Sequence, residues 1–168
     1  MDETKFWAIM EGVTQLSDKE EQCQTLQADL AKLQADEIIA FQAFFDKVID
    51  SAFTWDLWGA AHTIAGKCSN EEFLDFRCWL VSKGKEIYDK ALTDADCLAE
   101  VVCQDEECFF DALLYVPFEA WSEKTGRGID DFPESRSQQP EEPIGEEWKA
   151  ESDDLAKRLP KLTAKFAK

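Results

Sequence analysis

Residues 54–80 read TWDLWGAAHTIAGKCSNEEFLDFRCWL, and they hold three of the chain's six tryptophans, its only histidine and two of its six cysteines. Two helices account for this stretch. The first runs from Trp55 to Ala65, and Gly66 is its natural stop, because glycine enters the left-handed conformation that ends a helix without a β-carbon penalty. The second opens on SNEE at 69–72, a capping box in which Ser69 and Glu72 satisfy each other's free backbone donors. Phe73, Phe76 and Leu80 then recur at helical spacing as its inward face, and Gly84 marks its end. Aromatic residues at that spacing are what a packed interior needs. Trp55, Trp58, Phe73, Phe76 and Trp79 are therefore expected at or near the core, joining a fourth helix to a fifth.

The same grammar extends toward the N-terminus. Phe6, Ile9, Met10 and Val13 follow the i, i+3, i+4, i+7 pattern of one buried helix face. SDKE at 17–20 reads as another capping box, opening a helix with Cys23, Leu26, Leu30 and Leu33 on one stripe. Asp36 is the expected cap of a third helix carrying Ile38, Phe41, Phe45, Val48 and Ala52. Beyond Gly84, a short helical piece through Tyr88 is followed by one capped at Thr93 with Leu98, Val101 and Val102. DEECFFDALLYVPFEAW, 105–121, reads as a longer helix kinked or divided at Pro117, which lacks one backbone donor.

At Gly126 the pattern changes. Residues 126–150 are rich in Gly, Pro and acid without any period, and they read as an extended surface segment, long for a loop inside a compact domain. A C-terminal helical segment over 151–168 follows, capped at Ser152 and interrupted at Pro160. The prediction is all-α: one globular domain over 1–168, of roughly seven or eight helices by their apolar periods. A chain of 168 residues with 45% hydrophobic side chains suffices for a single core.

Charge is the most unusual feature. The chain has 36 Asp and Glu against 18 Lys and Arg, a formal charge of −18. The last twelve residues hold five of those bases and no acid, so residues 1–156 set 36 acids against 13 bases. Between Ala91 and Glu123 stand nine acids and no Lys or Arg. Such a chain is not expected to bind nucleic acid, where Lys and Arg neutralising phosphate supply most of the affinity. It repels anionic membrane and draws in a basic partner at a salt-sensitive rate. No apolar run approaches the roughly 20 residues of a membrane span, and MDETKFWAIMEG lacks the parts of a signal peptide. A cytoplasmic address is expected, with the cysteines at 23, 68, 78, 97, 103 and 108 reduced.

Several segments together resemble the bacterial family known as domain of unknown function 4240. They are FWAIME at 6–11, the run from WDLWGAAHTIAGKCSNEEF through DKALTDADCLAE at 55–100, YVPFEAWSEKTG at 115–126, and PIGEEWKAESDDLAKRLPKLTAKF at 143–166. WDLWGAA followed by F-x-x-F-R-x-W-L is the most specific part. The resemblance implies a single bacterial domain with no assigned reaction and no catalytic residue to carry over. The family pattern has Tyr where this chain has His62, and a Gly pair where it has Gly66 and Lys67. A chemistry shared by the family would then not depend on His62.

Two constellations stand out. Trp55, Trp58 and His62 fall at i, i+3 and i+7 of one helix face and could line an aromatic pocket with a titratable group at its end. Asp56, Asp75, Arg77 and Trp79 lie nearby in sequence, and an Arg held among aromatics can grip a carboxylate or phosphate. The plainer use of the same residues is a core face with an internal ion pair, and the residues favour it, since one histidine without a nucleophile is a weak catalytic signal. The second constellation is acidic: Asp105, Glu106, Glu107, Asp111, Asp130 and Asp131. Cysteine spacings match no usual zinc site, and the acids lack the alternation of a calcium loop, so no metal and no cofactor is expected. The function that best fits is a non-enzymatic acidic interaction protein, of which an immunity or inhibitor protein against a basic toxin is the concrete version. The alternative is an enzyme or small-molecule binder at a Trp-lined pocket around His62 and Arg77.

Overall fold

In the computed structural model, α1 (Glu3–Thr14) buries Phe6, Trp7, Met10 and Val13, and α2 (Lys19–Leu30) packs against it. The structure describes residues 1–134, 139–149 and 153–166. The cap expected at Ser152 lies outside them, as do 135–138 and 150 of the extended segment. There follow α3 (Ala35–Ser51), α4 (Trp55–Ala65), α5 (Asn70–Ser82), α6 (Lys85–Thr93), α7 (Val116–Thr125), α8 (Asp154–Arg158) and α9 (Pro160–Phe166). Short 3-10 turns span Ala95–Glu100, Asp111–Leu114 and Ile129–Asp131. The described residues form an all-α domain without strands, and none of their helices is long and apolar enough to cross a membrane.

α5 is the centre of the packing. It touches α1, α3, α4 and α6, and nearly every residue from Phe73 to Ser82 is buried. Its capping box forms as the sequence predicts: Ser69 Oγ accepts from Glu72 N (3.2 Å), and Glu72 Oε2 accepts from Ser69 N (2.7 Å). Gly66 ends α4 at φ +80°. α7 lies across α2 and α3, while α9 packs on α4 and on the turn Ala95–Glu100. Buried Asp96 fastens that last contact, its carboxylate accepting from the free backbone donors of Lys161 (3.0 Å) and Leu162 (2.9 Å) at the start of α9.

Four expectations need correction. α2 is capped by Asp18, not Ser17: Asp18 Oδ1 accepts from Glu21 N (2.9 Å), and a carboxylate serves the positive helix end at least as well as a hydroxyl. α3 starts after Gln34, whose backbone N donates to Glu37 (2.9 Å), so Asp36 sits inside the first turn. Thr93 closes α6, and Asp94 caps the following turn through its bond from Asp96 N (3.1 Å). The long helix over 105–121 does not form. Glu106 is drawn into tertiary bonds with Trp79 and Lys83 and accepts locally from the backbone N of Cys103, and Phe110 N donates to the Asp75 carbonyl. Pro117 then sits in the first turn of α7, where its missing donor costs nothing.

Candidate functional site

Thr54 caps α4, its hydroxyl accepting from Leu57 N (3.2 Å), and that register turns Trp55, Trp58 and His62 to one side. Trp58 lies parallel between Trp55 (centroids 5.4 Å apart) and Phe73 (5.2 Å), and its indole donates to the Cys68 carbonyl (3.0 Å). The fourth aromatic comes from the extended segment. Ile144 N donates to Phe53 O (2.9 Å) and Trp55 N to Ile144 O (3.0 Å), a single parallel bridge that moors the segment beside α4. Four residues on, Trp148 stands perpendicular to Trp55 at 6.3 Å and against the His62 ring at 4.9 Å.

Trp55, Trp58, His62 and Trp148 line a hollow of about 710 Å³, with exposed Lys67, Glu146, Glu147 and Lys149 around it. Burial, and then the charge of Lys67, holds His62 below its ordinary pKa, so the imidazole wall is neutral at pH 7. Trp148 Nε1 is buried without an acceptor among the described residues.

The other members of the predicted pocket are elsewhere. Arg77 is 1% exposed, with its guanidinium carbon 4.8 Å from the centre of the Phe53 ring and 5.0 Å from that of Phe73. It donates to the carbonyls of Phe73 (3.3 Å) and Ile49 (3.1 Å) and to Gln139 Oε1 (3.0 Å). Burial lowers its pKa to about 10, which leaves it charged at pH 7. Arg77 thus links α3, α5 and the extended segment from inside the fold. Trp79 is buried and donates to Glu106 (3.1 Å). Asp56 is exposed, 3.5 Å from Arg158 on α8. Asp75 does not line the hollow and belongs to a second side of the fold, where α5 packs on the turn at Asp111.

That second side is acidic. Burial, and then Asp111, Glu72 and Glu71, push the Asp75 carboxyl above its ordinary range. Asp111 and Glu119 both raise the thiol of Cys23, which burial chiefly pushes up to about 11. The turn Asp111–Leu114 packs on both α5 and α7, which puts half-buried Asp75 and exposed Asp111 and Glu119 on adjoining elements. Of the predicted acidic set, Asp105 and Asp111 are exposed, and Glu107 pairs with Lys19 (3.0 Å). Glu106 is spent inside on Lys83 and Trp79. Asp130 and Asp131 lie on the turn after α7, Asp131 within 3.9 Å of Arg127.

All six cysteines are free thiols. Burial raises Cys68 and Cys108 to about 12 and Cys78 further still, so these sulfurs stay protonated and serve packing. Among the described residues no group of three or more His, Cys, Asp or Glu side chains could hold a metal ion.

Sequence reasoning missed Trp148, Gly59 and the start of α5 as parts of a site. A lone Trp inside an acidic, aperiodic run was a usable signal, since so large an apolar side chain seeks cover. Glu71 and Glu72 were absorbed into the SNEE capping pattern and Asp75 was assigned to the aromatic pocket, so the approach of the Asp111 turn to α5 is visible only in three dimensions. A family model described as a protein of unknown function (DUF4240) matches residues 1–123. No curated protein and no solved structure matches the chain.

Proposed function

This chain belongs to the DUF4240 family, and from that premise we propose that it is an acidic interaction domain whose carboxylate face binds a basic protein. An inhibitor or immunity protein that neutralises a cationic toxin is the concrete form of this reading. The observation that carries it is the run from Ala91 to Glu123, which holds nine acids and no Lys or Arg and exposes Asp111 and Glu119, beside an Asp75 carboxyl that burial and then Asp111, Glu72 and Glu71 raise. Like charges gathered on one side cost the isolated protein stability, and a bound cationic surface relieves that cost. The overall charge of −18 supplies the long-range field that brings such a partner in.

The test is retention of a partner on the immobilised full chain from the extract of the cells that make it, at low and at high salt. A protein of basic composition held at low salt and released at high salt supports the reading. No retained partner, or one indifferent to salt, overturns it.

A second reading is favoured by the gathering of Trp55, Trp58, His62 and Trp148 around one hollow. It is a small-molecule site, built without Arg77, which is committed to the interior.

A further inference from the structure

We propose that the hollow between α4 and the C-terminal segment is a binding site for an organic cation, a quaternary or methylated ammonium group held by the indoles of Trp55 and Trp148. The inference rests on the small-molecule reading of the hollow and is independent of the acidic face.

The choice of ligand follows from three observations. The walls are aromatic: two indoles meeting at 89° with centroids 6.3 Å apart, a third indole stacked behind one of them, and an imidazole beside the other. The face of an indole is the negative part of its quadrupole and attracts a cation within about 6 Å, whereas it repels an anion. The imidazole adds no positive charge, because burial and Lys67 keep His62 neutral at pH 7.

The surrounding charges do not favour an anion. Lys67 and Lys149 stand against Glu146 and Glu147 in the lining, and Arg158 just outside, 4.0 Å from Glu146, stands against Asp56 (3.5 Å) and Asp154 (3.2 Å). The field of the whole chain then decides, and at −18 it concentrates cations and depletes anions around the molecule. An alkylated ammonium suits the site better than a small hard ion, because the walls offer apolar contact and no converging oxygen ligands.

The site is also built rather than incidental. Trp148 packs closely on α4 at Gly59, where a β-carbon would stand 3.2 Å from the indole, closer than side chains ordinarily approach. The segment that carries Trp148 is moored on both sides, by the Ile144 bridge before it and by Leu155 and Arg158 after it.

The experiment titrates the full chain with choline and, separately, with its uncharged carbon isostere 3,3-dimethylbutanol, at constant ionic strength and pH 7.5. Indole N–H resonances of the uniformly nitrogen-15-labelled protein are followed. Choline is expected to shift the Trp55, Trp58 and Trp148 signals saturably and to leave Trp7 and Trp121 in place. It should bind at least about threefold more tightly than the isostere, the factor that a cation–π contribution of ~0.7 kcal/mol supplies. Trp148→Leu and Trp55→Leu should each abolish this preference while the amide spectrum keeps its fold, and Trp148→Phe should restore part of it. A parallel titration with a trimethyllysine peptide and its unmodified counterpart tells a free ligand from a protein-borne one. Equal binding of choline and the isostere at the three indoles would retain a ligand site and overturn its cationic character. No saturable shift with any probe, or choline binding unchanged in Trp148→Leu, would remove the site as well, leaving the acidic-face reading untouched.

Discussion

Gly59 and Trp148 meet too tightly for a side chain to enter without displacing a neighbour: a β-carbon on Gly59 would lie 3.2 Å from both Cδ1 and Nε1 of the indole and 2.7 Å from Cδ2 of Leu155. One missing side chain therefore seats both the segment around Trp148 and the start of α8 on α4. Replacing Gly59 by Val is expected to unseat that segment at a cost of about 1–3 kcal/mol, the usual range for forcing extra atoms into a filled contact. Helix propensity, which favours most residues over Gly by up to ~1 kcal/mol, offsets only part of this. A lowered melting temperature, with faster proteolysis confined to the C-terminal segment, is the expected result. Unchanged melting and cleavage would mean that the segment is not held there.

The aromatic residues of 54–80 differ in depth, and their truncations should differ accordingly. Phe76 is fully buried in α5, so Phe76→Ala should cost about 3–5 kcal/mol through lost burial and the cavity left behind. Trp58 is only partly buried although it stacks on two rings, and Trp58→Ala should cost less, about 1–3 kcal/mol. Chemical denaturation of the two variants decides the order. An equal or larger loss for Trp58→Ala would contradict the placement of these rings.

The reasons these elements were or were not legible in the sequence are physical. Apolar spacing marked α1 and α3 because each presents one broad buried stripe, the capping box marked the start of α5, which is buried nearly all round, and Gly66 stopped α4 because its conformation demands glycine. Caps slipped by one or two residues where neighbouring polar groups compete, as at Ser17 against Asp18 and at Asp36 against Gln34. The helix expected over 105–121 failed because its periodicity is overridden by bonds from Glu106 to Lys83 and Trp79, residues more than twenty positions away. The site was half legible. Trp55, Trp58 and His62 share a face by helical arithmetic, whereas Trp148 joins them through a bridge between Thr54 and Ile144 that no local pattern announces.

Acidity on the α5 side should appear in the pH dependence of stability. The Asp75 carboxyl is raised in the fold, so the folded state holds its proton more tightly than the unfolded state does. Its contribution to stability is present at low pH and lost as the pH rises through the folded pKa. Asp75→Asn should therefore stabilise the protein at pH 7, by less than about 1 kcal/mol for a group still partly open to solvent. The gain should shrink as the pH falls into the carboxylate range, where the wild-type group is already neutral. A variant less stable than wild type at pH 7 would mean that Asp75 is paired rather than opposed.

The most direct measurement compares two variants of equal charge for binding to the basic partner retained at low salt. Glu71→Lys, Asp111→Lys and Glu119→Lys together reverse exposed charges on the acidic side, while Glu11→Lys, Glu86→Lys and Asp89→Lys reverse exposed charges on α1 and α6. Both carry the same net charge, so a nonspecific field affects them alike and only a located interface separates them. The predicted result is that the first triple strongly weakens binding and flattens the salt dependence of what remains, while the second keeps most of the affinity. Equal weakening by both triples, or loss confined to the second, would contradict an interface at the start of α5, the turn at Asp111 and α7.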